Sequence, residues 1–142
     1  MSRNGFSLVE VLVAIAVAGM AAGIVISGTS VDRFGLARAA RLAESQLVRA
    51  RLHALASHVP AEVTLAGTWL EVAPRGGSPL SRVDLAAHGF GRLDSVRLRP
   101  ARIRFNARGH GSPGSIFLYR GQRGIRVVSN FVGRVRAVPF NH

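Results

Sequence analysis

From Phe6 to Val31 the chain runs 26 residues with a single charged side chain, Glu10. A helix rising about 1.5 Å per residue over that length can cross a hydrocarbon core roughly 30 Å thick. A carboxylate in such a helix costs about 2.5–3.5 kcal/mol, the figure for Asp, Lys or Arg at its centre, so Glu10 needs a partner or a role. No other stretch restricts the choice of fold as strongly.

Residues 1–5 form a short polar leader whose one charge is Arg3. A secretory signal peptide has the same order: a basic start, an apolar run, then small residues such as Ala14-Ile15-Ala16. Against that reading, the run continues well past those alanines, Glu10 interrupts it, and the leader is very short. A plain membrane anchor with an incidental glutamate is the other alternative. Within the run, Gly19-Met20-Ala21-Ala22-Gly23 is a GxxxG pattern suited to close helix approach in a membrane, although Gly and Ala are common in such helices in any case. The first proline is Pro60, so a helix can continue unbroken.

Beyond Asp32 the pattern changes without a loop signal. Leu36, Ala40, Ala43, Leu47, Ala50 and Ala54 recur with a 3.6-residue period, while Arg38, Arg41, Glu44 and Arg49 lie largely elsewhere. The spacing predicts one long helix, apolar over 6–31 and amphipathic over 32–58, ending around Ser57–Pro60. Short β-rich segments follow: Ala61–Ala66, Thr68–Ala73, a short strand near Arg82–Leu85, Val96–Arg99, Arg102–Asn106, Ser115–Tyr119, Ile125–Ser129 and Val132–Val138. Gly-rich connections between them fit an antiparallel sheet or two small sheets. Trp69, the only tryptophan, is expected in the core. The expected fold class is therefore α+β: a long N-terminal helix, with a transmembrane half and then an amphipathic half, packed on a small antiparallel β domain over 59–142.

The chain has no cysteine, which excludes disulfides and thiolate metal sites. Gly109-His110-Gly111-Ser112-Pro113-Gly114 matches GxGxxG by letter, but a strand follows where a dinucleotide site needs a helix, so it reads as a hairpin connection. There is no lysine for a P-loop, no HExxH spacing, and no confident pairing of acids; His53 and His58, five apart, are a poor metal pair. The sequence points to no enzyme, no cofactor and no metal. All 19 basic residues are arginine, and from Arg92 to Arg136 eleven of them face one acid, Asp94. Arginine suits bidentate phosphate contacts, but solvated strand faces, acidic partner subunits and lipid headgroups are alternatives. No aromatic interleaving accompanies the arginines along the chain, which gives base stacking weak support.

Gly5-Phe6-Ser7-Leu8-Val9-Glu10 resembles the processing site of type IV prepilins and of the pseudopilins of type II secretion. The resemblance implies cleavage after Gly5 by a prepilin peptidase and N-methylation of Phe6. It also implies that Glu10 neutralises a neighbouring subunit's terminal amine during assembly, the partner that makes a carboxylate tolerable in a low-dielectric bundle. A second resemblance lies in Ile103-Arg104-Phe105, Gly109, Gly114-Ser115-Ile116, Val127-Val128-Ser129 and Gly133-Arg134-Val135-Arg136, which look like the GspH/FimT branch of pilin-like proteins. The Ala50-Arg51 to Val63-Thr64-Leu65 region fits that branch loosely, and residues 66–95 are unmatched. Together these imply a pilin-like subunit of a type IV pilus or type II secretion filament. It would be single-pass in the inner (cytoplasmic) membrane, with an extracytoplasmic β domain and other pilin subunits as partners. The Gly-Arg-x-Arg stretch is associated in FimT-type minor pilins with DNA binding during natural transformation. Matching it singles out Arg134 and Arg136, and the hairpin arginines Arg120, Arg123 and Arg126 join them as candidates for DNA.

Overall fold

The computed structural model describes residues 8–87 and 93–141, apart from the side chains of 21–33. One helix, α1 (Leu8–Ser57), precedes eight strands: β1 (Ala61–Ala66), β2 (Trp69–Pro74), β3 (Ser81–Asp84), β4 (Ser95–Arg99), β5 (Arg102–Phe105), β6 (Gly114–Arg120), β7 (Arg123–Ser129) and β8 (Val135–Asn141). The chain divides into two units, Met1–Val31 and Asp32–His142. In the first, Leu8, Val9, Leu12, Ile15 and Met20 are all exposed. Among the described residues no helix is long and apolar enough to cross a membrane. Residues 6 and 7 and the side chains of 21–31, which the expected span requires, lie outside the described ones, as does the second half of the GxxxG pattern.

In the second unit the strands form two four-stranded antiparallel sheets, ordered β3-β2-β1-β5 and β4-β6-β7-β8. The alternation of apolar and polar residues decides which face is buried. In the first sheet, Val63 stands opposite Val72 on one side and Ile103 on the other, and Ala61 opposite Phe105, all fully buried. In the second sheet, Ile116 pairs with Val127 and Leu98, and Leu118 with Val96 and Ile125. The helix stripe Leu36, Ala39, Ala40, Ala43, Leu47, Ala50 and Ala54 joins the same buried cluster. The stripe agrees with the 3.6-residue spacing, and the helix ends at Ser57, within the expected range. Gln46, also buried, accepts a 2.7 Å hydrogen bond from the Ser81 hydroxyl and so joins α1 to β3.

Three expectations need correction. Trp69 is 40% exposed; Leu70 and Val72 take the inward positions of β2, which turns Trp69 outward beneath the Arg82 guanidinium, 4.8 Å from its ring centre. The last strand is Val135–Asn141 rather than Val132–Val138, because Asn130 closes a turn in which Gly133 N donates to Asn130 O and Asn130 N to Arg134 O. The Gly109–Gly114 segment does begin as a hairpin, with Asn106 N donating to His110 O and a bridge from Phe105 to Gly111. It then carries the chain from β5 in the first sheet to β6 in the second.

Candidate functional site

The outer face of the second sheet brings together residues scattered from 95 to 140. Cross-strand register sets three rows over its four strands: Ser95, Tyr119, Gly124, Phe140; then Arg97, Phe117, Arg126, Val138; then Arg99, Ser115, Val128, Arg136. Four arginines frame three aromatic rings, and no acid stands in any row. The rings touch one another. Phe140 meets Tyr119 edge-on at 5.5 Å between centroids and Phe117 at 6.1 Å, and Phe117 and Tyr119 lie nearly parallel at 6.3 Å. Arg97 sits 6.0 Å from the centre of the Tyr119 ring. The Phe140 ring reaches over Gly124 so closely that a β-carbon there would collide with it, so this packing requires glycine.

The first sheet treats its arginines differently. Glu62 receives Arg102 at 3.2 Å and Arg104 at 3.0 Å, and Glu71 stands opposite Arg82. Such exposed pairs contribute at most about 1 kcal/mol each to stability, but they cancel charge locally. The uncompensated positive surface therefore belongs to the second sheet.

The predicted arginines separate on this geometry. Arg126 and Arg136 share the outer face of the second sheet, on adjacent strands. Arg134 precedes β8 instead of sharing a strand face with Arg136; its amide donates to the Asn130 side chain at 2.8 Å. Arg120 and Arg123 form the last cross-strand pair of the β6–β7 hairpin, at alternate positions that fall on the opposite parity from Arg126. Glu10 is exposed in the first turn of α1; among the described residues the only ion pairs are those of Glu62. Gly5 and Phe6 lie outside the described residues.

Two features went unread in the sequence. One is the aromatic trio, whose members meet only when the strands pair; the signal was Phe117 and Tyr119 alternating with Ile116 and Leu118. The other is Arg51, on α1. Its Nε donates to Gly109 O at 3.1 Å and its Nη1 to Gly133 O at 3.2 Å, so one guanidinium holds both loops. Gly133, the first residue of Gly-Arg-x-Arg, has φ 78°, and a β-carbon on it would collide with Gly109 O and crowd Arg51. Beside this clamp, His110 stacks on the exposed Phe131 at 5.9 Å.

The model of the prokaryotic N-terminal methylation motif matches residues 1–26, and that of type II transport protein GspH matches 39–133. The second match includes residues 66–95, which the motif resemblance had left out, and stops just short of Arg134. None of the curated proteins matches the chain. Two crystal structures of the type IV minor pilin FimU from Pseudomonas aeruginosa share the fold. In space group P21 the identity is 20% and the TM-score 0.61, over 76% of this chain and 91% of that one. In space group P65 the values are 18% and 0.58, over 73% and 93%. A helix leading into two antiparallel sheets, a methylation motif at its head and a domain match over most of the remainder place the chain in the type II transport protein GspH family, with a pilin-like fold.

Proposed function

We propose that the chain is a minor pilin or pseudopilin, a non-catalytic structural subunit of a type IV pilus or type II secretion filament. Residues 1–5 are its leader, 6–31 its anchor in the cytoplasmic membrane, 32–58 the amphipathic half of the helix, and 59–142 an extracytoplasmic β domain. Prepilin peptidase cuts after Gly5, Phe6 is methylated, and Glu10 meets the terminal amine of a neighbouring subunit. The observation that carries this reading is the start of α1: a solvent-facing apolar segment with one carboxylate in its first turn, unpaired among the described residues. Such a surface asks for lipid or other helices around it, and for a cation beside Glu10.

N-terminal sequencing and intact mass of the chain, expressed with a prepilin peptidase, test the processing step. The mature protein is expected to begin at methylated Phe6, and Gly5→Trp is expected to leave the full-length chain in the membrane. A new N-terminus near Ala16 or Ala18 would overturn it in favour of a signal peptide.

A second reading, in which the β domain also binds DNA for uptake, is favoured by the acid-free face with Arg97, Arg99, Arg126 and Arg136. Arg134 lies two residues before Arg136 and adds to the same charge. Salt-sensitive binding that weakens when Arg134 and Arg136 are replaced by alanine is its test.

A further inference from the structure

Resting on the DNA reading above, we propose that the outer face of the second sheet takes single-stranded polynucleotide, with phosphates on its arginines and bases on Phe117, Tyr119 and Phe140. Charge alone does not select this ligand. An acidic protein surface would satisfy Arg97, Arg99, Arg126 and Arg136 but has no use for three clustered rings among them. A polyanion that also carries flat π-faces uses both. The rings are half-buried by one another, which fixes their positions and leaves part of each accessible.

Geometry separates single strand from duplex. A duplex keeps its bases stacked on each other and shows a protein only their edges, read by an element that enters a groove. The outer face is a four-stranded sheet whose rings project from the middle strand β6 and from β8. Unpaired bases can be laid on such rings; paired ones cannot. The Phe140 position depends on Gly124, and the two are cross-strand partners. Arg97, beside Tyr119, places a cation next to the ring it would share with a base.

The test uses the full chain in a neutral detergent and fluorescence anisotropy at low ionic strength. Its probes are a thirty-nucleotide oligo-dT, an abasic oligonucleotide of equal length, and a thirty-base-pair duplex. The abasic strand keeps the phosphates and removes the bases, so the expected result is oligo-dT bound about tenfold more tightly than the abasic strand, and more tightly than the duplex. The double variant F117L/F140L keeps apolar bulk on the sheet; it is expected to lose that tenfold preference while its circular dichroism and duplex affinity stay unchanged. If leucine perturbs the fold, mass-spectrometric mapping of oligo-(4-thio-dT) crosslinks on the unaltered chain gives the same answer, with adducts expected on Phe117, Tyr119 or Phe140. Equal affinity for oligo-dT and the abasic strand, or adducts confined to other residues, would overturn the stacking platform while leaving the DNA reading intact. Absence of salt-dependent binding to all three probes would overturn both and favour a protein-facing surface.

Discussion

Gly133 meets two demands that no other residue type meets together. Its φ of 78° lies in the left-handed region, and its α-carbon faces Gly109 O and the Arg51 side chain with no room for a β-carbon. Gly133→Ala is therefore expected to lower stability by about 1–3 kcal/mol through backbone strain and displacement of the clamp, read as a fall in Tm by circular dichroism. Arg51→Lys is expected to lose most of what Arg51→Ala loses, because an ammonium cannot fork to two carbonyls as a guanidinium does. The glycine of Gly-Arg-x-Arg thus has a packing reason here, independent of what its arginines bind. At this scale the sequence was partly legible. Gly133 stood out within a motif, but its partner Arg51 is 82 residues away and no local pattern joins them.

At the scale of elements, period and parity were readable wherever burial enforced them. The alanine stripe of α1 appeared in the spacing because a helix laid closely against sheets excludes larger side chains from its contact line. Ala43 is fully buried on that line, so Ala43→Leu is expected to destabilise by about 1–3 kcal/mol through overpacking, measured by thermal or chemical denaturation of the detergent-solubilised chain. Strand limits were less legible. Pro139 looked like the end of the last strand, but β8 is an edge strand, where a residue without an amide proton is tolerated. Trp69 was misplaced because size was read ahead of alternation: its neighbour Leu70 already held the inward position.

Over the whole molecule, the sequence showed where the arginines lie along the chain but not which of them are answered by acids. Pairing puts Glu62 between Arg102 and Arg104 on one sheet and leaves the outer face of the other without an acid. Four phosphates neutralised there predict a log–log salt slope of about −2.8 for single-stranded DNA, at roughly −0.7 per contact. Replacing Arg134 and Arg136 by alanine is expected to make the slope shallower by roughly one to two, measured by anisotropy titrations at several salt concentrations. A slope unchanged by those replacements would remove them from the contact surface.

The Arg51 clamp has a mechanical side. Gly109 lies in the connection that leaves the first sheet after β5, and Gly133 in the turn that enters β8 of the second. Tension applied along the C-terminal part of α1 therefore has a route into the domain besides the single covalent path through residues 58–60. One guanidinium divides the load between two carbonyls, one belonging to each sheet's connection. A subunit pulled by its helix is braced on both layers at once, and neither sheet has to be peeled from the other to bear the force.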